Sequence, residues 1–363
     1  MTRVVVIGAG VAGCAAAVAA AIAGAEVILF EASQHVGGVA AQGEHRTICG
    51  LAPIDADHPE LLEPVVQPWL TEIATGQPWR QGRVWLWPTS AEALQRGCRQ
   101  RLTAAGVQVY TGVHVDALEV LDDAVVTVAA GKQRWHGDAW IDASGGSAVA
   151  RLLTAAIRPA QAWGAWRAEV AIEVEPGLSA RRRLLAQIAT ALAVPVATAL
   201  VPLTPGRWQF SLDVPLATSA AQAAAWVDQA MAAVGGRVIQ GACQVARRDD
   251  GGWAGDLSAE ELFLTPERGW SWAAWPVEAH GAEGVTWRWP EVARHGIPHA
   301  ATKPSIGEKN GAVIGRGMPV AADAIAALRV IGTQLGLGTA VGTALGAGGK
   351  SARRDPDVAL PST

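Results

Sequence analysis

The chain opens on RVVVI (Arg3–Ile7), four of whose five residues are apolar and β-branched. So short a run without alternation is the pattern of a parallel strand buried on both faces. Apolar residues then continue without a charge through VAGCAAAVAAAIAGA to Ala25, a run that hydropathy alone would read as a membrane span. Its order argues otherwise. Gly8, Gly10 and Gly13 divide it into strand, glycine turn and an Ala-rich helix ending near Gly24, and AEVILF then forms a second buried strand that stops at Glu31. A membrane helix has no reason to space glycines in this way. Further on, PTSAEALQRGCRQRL predicts a helix, with Thr89 and Glu92 as its capping box and Gly106 at its end. VQVYTGVHV reads as a strand, and AWIDA (Ala139–Ala143) as another that runs into Ser144, Gly145 and Gly146. Ala312–Gly315 is a short late strand, and a small-residue helix is expected from about Thr339.

Between these pieces the pattern changes. WRAEVAIEVEPG alternates as a half-buried strand, SARRRLLAQIATALA reads as a helix, and GRWQFSLDVPL as a strand. ATSAAQAAAWVDQAMAAVGG is again a helix, and RVIQGACQVARR a further strand. The chain therefore reads as α/β: a Rossmann-like dinucleotide-binding domain with a parallel sheet, plus an inserted α+β substrate domain with an antiparallel sheet. The first takes residues 1–50, 88–157 and 303–350, the cap takes 51–87 and 158–302, and 351–363 read as a loose tail.

Composition narrows the partners. A chain of 363 residues, half of them apolar and with a net charge of −4, can bury a large core and is not a disordered segment. A pI near 6.1 gives no electrostatic case for nucleic acid or anionic lipid. The four cysteines are scattered, with no CxxC and no metal-ligand spacing, which fits a reducing, cytoplasmic setting and no metal. No signal-peptide pattern opens the chain. Arg181–Arg183 and Arg247-Arg248, the latter beside Asp249-Asp250, read as solvated faces.

The glycines carry the chemistry. Gly8 allows a tight turn, Gly10 lets the backbone approach a pyrophosphate, and Gly13 lets helix and strand pack closely. Val11 and Ala12 open the helix, whose first-turn N–H groups favour phosphate. Glu31, with Ala32 beside it, stands where an acid accepts from ribose hydroxyls. Gly37-Gly38 suits the long pyrophosphate and ribityl chain of a flavin. Backbone near Val115 could meet an adenine edge, and Ala143, Ser144 and Gly145 form a second turn at a strand's C-terminal end, where open α/β sheets bind ligands.

These motifs, G-x-G-x-x-G at Gly8–Gly13, E-x(5)-GG at Glu31–Gly38, I-D-A-S-G at Ile141–Gly145, and the late Gly315-Arg316, Arg329 and Gly338–Ala344, resemble the FAD-dependent oxidoreductases of the glutathione-reductase-like superfamily. The resemblance covers roughly half the chain, with its motifs in the expected order. It implies bound FAD, held also by Gly315, Arg316 and a helix start at Gly338, Thr339 and Ala340, and an antiparallel cap over the flavin ring. A small-molecule substrate and an electron acceptor (oxygen, a quinone or a protein) are implied too, while the oligomeric state stays open.

Catalytic candidates lie in GEHRTICG, on the loop that in this superfamily leads toward the ring. His45 could orient or deprotonate a substrate, Arg46 neutralise an anion, and Cys49 attack a substrate or serve only as a small buried residue. Five of the sixteen tryptophans cluster in GWSWAAWPVE and VTWRWPE, where they either wall a pocket or fill a core. With no second G-x-G-x-x-G for NAD(P)H and no G-D-A-A segment of aromatic hydroxylases, a dehydrogenase or oxidase leads. A monooxygenase acting on an aromatic substrate is the alternative, and a structural or partner-dependent flavin subunit a reading of another class.

Overall fold

The Arg3–Ile7 strand lies at the centre of a five-stranded parallel sheet whose order is Gly311–Val313, Ala139–Asp142, Arg3–Ile7, Glu26–Glu31, Gln108–Thr111. The structure is a computed structural model that describes residues 1–174, 178–192, 197–281 and 284–348. The tail expected over 351–363 lies outside the described residues. Val4 and Val6 enter one apolar core and Val5 and Ile7 another, so the strand is buried on both faces, which explains its unbroken hydrophobicity. The chain moves outward from this strand in one direction and returns on its other side through Ala139–Asp142. The sheet therefore reverses between those two strands, and ligands of open α/β sheets bind at such a reversal.

The apolar run becomes the helix Val11–Ile22, packed against the long C-terminal helix Ile331–Gly346. Gly338, Gly342 and Gly346 face the carbonyls of Ala12, Ala16 and Ala20, one helical turn apart each time. A Cβ on Gly338 would stand 2.5 Å from the Ala12 oxygen. This corrects the expected helix start near Thr339: the helix begins at Ile331, and Gly338, Thr339 and Ala340 lie inside it. Gly338 lets the two helices pack closely, and none of the three presents its N–H at a helix end. Among the described residues no single helix is long and apolar enough to cross a membrane.

Ser90, and not Thr89, caps the helix Ala91–Ala104, accepting from the Ala93 N–H at 3.0 Å. Thr89 turns inward and donates to the Ile73 carbonyl. The strand at Gln108–Thr111 ends before Val115, which lies in the following loop.

The second sheet is antiparallel, in the order Ala197–Thr204, Arg207–Pro215, Trp163–Ala171, Arg237–Gly241, with Ala246–Arg247 also on the Trp163–Ala171 strand. Its alternation is sharp. Trp166, Ala168 and Val170 join Phe210, Leu212 and Val214 in a core with the helices Leu178–Ala191 and Ala220–Ala233. The opposite face was expected to meet solvent, as alternation usually implies. It does not: Arg167, Gln209, Ser211 and Asp213 on that face are all buried. Arg248 and Asp249, expected on a solvated face, are buried as well, because each meets an opposite charge inside the fold. A buried sheet face of polar groups forms no apolar core, and here it roofs a cavity.

Candidate functional site

Two cavities of similar size open between the sheets, about 320 and 330 Å³. The first runs along the sheet reversal. Gly8, Gly10, Val11, Ala12, Glu31, Gly37, Gly38, Ala143, Ser144, Gly145, Gly315 and Arg316 all line it, so the structure gathers most of the residues singled out for the dinucleotide. Gly13 sits behind them. Ala32 is exposed to solvent, and neither it nor Val115 is among the lining residues.

The fit to a dinucleotide can be read from what a side chain would strike. At Gly8, φ is +103° and a Cβ would lie 2.5 Å from the Ala143 carbonyl oxygen. At Gly13 a Cβ would run into the Gly8 carbonyl. Gly10 has no atom within 4 Å of its Cβ position, so its backbone faces open space in the cleft. Two glycines packed shut around one left open is the division of labour a pyrophosphate site needs. Gly37 closes on the same turn, its N–H donating to the Ala9 carbonyl at 2.8 Å. The helix Val11–Ile22 starts in the cleft with no side-chain cap, which leaves its first N–H groups for an anion.

Glu31 accepts from the Ala9 N–H at 2.7 Å and from the Ser33 N–H at 2.9 Å, one bond per carboxylate oxygen. Each oxygen keeps a lone pair for a ribose hydroxyl. The late segment is less free than its sequence implies. The Gly315 N–H donates to Gln334 Oε1 at 2.8 Å, and Arg316 pairs with Asp250 at 2.8 Å while donating to the Arg247 carbonyl. Its guanidinium lies under Gly145, where a Cβ would come within 2.9 Å of it. Gly315 and Arg316 thus shape the cleft wall through internal bonds. The residues present fit an FAD in its ribose and pyrophosphate portions.

The second cavity lies under the polar roof and meets the first at Arg329 and Ile331, which line both. His45 and Cys49 line it, and Arg46 does not. Arg46 is held between Glu44 and Glu169, each 3.4 Å away, so its expected role at the site is not retained. His45 Nδ1 has no hydrogen-bond partner. Burial, with the charges of Arg167, Arg248 and Arg329, pulls its pKa well below the usual imidazole value, although part of its surface still faces the cavity. It is a neutral base in an electropositive chamber. Burial likewise pushes the Cys49 thiol far up, helped by the Glu278 charge, which disfavours the thiolate that a nucleophile needs.

Arg167, Asp213, Glu278 and His280 were not singled out in the sequence. Asp213 pairs with Arg248 and with His280 Nδ1 at 2.8 Å, and His280 Nε2 is 3.0 Å from Glu278. Burial would raise the Glu278 carboxyl, but the His280 hydrogen bond and the charge of Arg329 outweigh it and hold it far below the carboxylate range. Arg329 donates to the Glu278 carbonyl at 3.2 Å. An aspartate inside WQFSLDVPL and an arginine inside WGAWRAEV, both mid-strand, were the available signals.

The tryptophans divide. Trp275, Trp287 and Trp289 wall the second cavity, with Trp287 and Trp289 stacked at 6.0 Å. Trp270 instead donates to Thr302 Oγ1, and Trp272 lies under the Arg294 guanidinium. Among the described residues no group of three or more His, Cys, Asp or Glu is arranged to hold a metal.

A family model described as FAD dependent oxidoreductase matches residues 3–191. No curated protein matches the chain. Solved structures similar to it include the Diels-Alderase of pyrroindomycin biosynthesis (12% identity, TM-score 0.45, 88% of this chain and 60% of that one). Another is the anhydrotetracycline hydroxylase of Streptomyces rimosus (16%, TM-score 0.42, 65% and 50%). A third is 2-methyl-3-hydroxypyridine-5-carboxylic acid oxygenase (15%, TM-score 0.43, 66% and 70%). The chain spans 60% and 50% of the length of the first two.

Proposed function

Because the chain belongs to the FAD-dependent oxidoreductase family, we propose that it oxidises a small organic substrate held in the second cavity, as a dehydrogenase or oxidase of glutathione-reductase-like construction. The observation that carries this reading is the meeting of the two cavities at Arg329 and Ile331, one shaped for a dinucleotide and the other lined by charged and aromatic walls. Bound FAD would supply a two-electron, hydride-accepting group. Gly10, the first turn of the helix Val11–Ile22 and Glu31 would hold it. The neutral His45 ring, part of which lines the cavity, would take a proton from a substrate O–H or N–H. Trp275, Trp287 and Trp289 would pack against the apolar part of the substrate.

That wall also favours a second reading, monooxygenation of an aromatic substrate. Anaerobic mixing separates the two. Bleaching of the flavin by amines, hydroxy acids or aromatic metabolites, followed by reoxidation with air or a quinone, is the expected result. Bleaching by NAD(P)H alone would favour the monooxygenase. No bleaching by any donor would favour a flavin subunit that depends on a partner.

A further inference from the structure

The roof of the second cavity carries a charge that the fold leaves unmatched. Arg167 projects from the middle of the Trp163–Ala171 strand on its polar face and is only 9% exposed. Its hydrogen bond is to a neutral group, the Gly43 carbonyl at 3.1 Å. No carboxylate among the described residues lies within ion-pair distance of it. The neighbouring cations are better served: Arg248 has Asp213, and Arg329 has Glu278 at 4.0 Å. Of the three arginines that line this cavity, Arg167 alone has no carboxylate at ion-pair distance among the described residues. A buried arginine without its counterion is costly, and folds supply such counterions or reserve the place for a ligand.

We propose that the second cavity binds an organic carboxylate, with Arg167 as the partner of the carboxylate and Trp275, Trp287 and Trp289 against its apolar body. This rests on the second cavity being the substrate side of the flavoenzyme. The planar guanidinium matches a carboxylate with two parallel N–H donors, a geometry that a point charge does not offer. Arg167 lines the second cavity and not the first, so its counterion is a molecule in that chamber and not the pyrophosphate of the cofactor. Burial and the charge of Arg248 bring the Arg167 pKa down to about 9, with Arg329 adding to the effect against Glu278 and Asp213. The group stays charged at neutral pH, and a bound anion would restore it.

The test uses FAD-loaded protein and pairs of ligands that differ only in charge: acetate, phenylacetate and indole-3-acetate, each against its primary amide. Calorimetry and tryptophan quenching measure binding without turnover, and bound FAD is quantified in every sample. At least one acid should bind about tenfold or more tightly than its amide, the discrimination expected when a buried polar group would be left unpaired. Arg167→Met should bring acid and amide within about twofold of each other, while Arg167→Lys keeps part of the preference. Equal binding of every pair by the wild type overturns the proposal, as does an Arg167→Met protein that still prefers the acid. Should Arg167→Met not fold, the wild-type pairs and Arg167→Lys decide. Yellow protein with no preference defeats this inference alone, whereas colourless protein that ignores added FAD defeats the cofactor reading.

Discussion

His280 ties two walls of the second cavity together, its Nδ1 2.8 Å from Asp213 on the antiparallel sheet while it stands in the Val277–Gly281 strand of a separate hairpin. Asp213 is 1% exposed and also holds Arg248, so one carboxylate serves two cationic or hydrogen-bonding partners. Asp213→Asn should therefore cost about 3–5 kcal/mol, the range for stripping one member from a buried pair. Urea unfolding measures it. A loss below about 1 kcal/mol would mean that water or a neighbour already serves Arg248.

The depressed pKa of His45 has a signed consequence. In the unfolded chain the ring titrates near 6.5, and in the folded protein it stays neutral well below that. The unfolded state then binds more protons, so stability is lost as pH falls below about 6.5, by about 1.4 kcal/mol per unit until the folded ring titrates. His45→Gln should remove that loss while changing little above pH 7. Parallel melting curves for the two proteins from pH 7 to 5 would count against a neutral buried ring. The same variant should slow flavin reduction by substrate with FAD content near normal; reduction at the wild-type rate would make the histidine structural.

Gly10 and Gly13 should fail in different ways. Gly10→Ala has room for its methyl and a backbone of ordinary φ, so it should melt with the wild type yet bind FAD at least about tenfold more weakly. Gly13→Ala meets the Gly8 carbonyl and should lose about 3 kcal/mol of stability, the upper end for overpacking. Thermal melts of apoprotein, paired with FAD titrations, separate the two. Equal effects on both quantities would dissolve the distinction.

Gly342→Ala probes the helix contact, since its methyl would strike the Ala16 carbonyl. A lower melting temperature with the flavin reduction potential unchanged in the folded protein is expected. A shifted potential without lost stability would return this helix to the cofactor.

Local pattern was enough for the parallel sheet, because Val4–Ile7, Glu31 and the early glycines each state their role within a few residues. It failed where meaning depended on what lay opposite. Strand alternation in WRAEVAIEV gives the face of Arg167 but not whether water or a cavity meets that face. Arg248 reads as solvated beside Asp249 and Asp250, yet its partner is Asp213, thirty-five residues away. Gly338 and Gly342 suit a helix start or a helix seam equally well until Ala12 and Ala16 are seen against them. Cys49 was open in the same way until its burial fixed it as a thiol.

The first helix has an almost wholly apolar surface, and the seam that covers it is made some three hundred residues later. A ribosome adding about 5–20 residues per second needs roughly 15–60 s to cover that distance. Throughout that interval the emerging protein carries an uncovered stripe of alanine and valine, and the cleft still lacks the wall from Gly315 to Gln334. The cleft is therefore complete for the cofactor only once the last segment of the fold has been made.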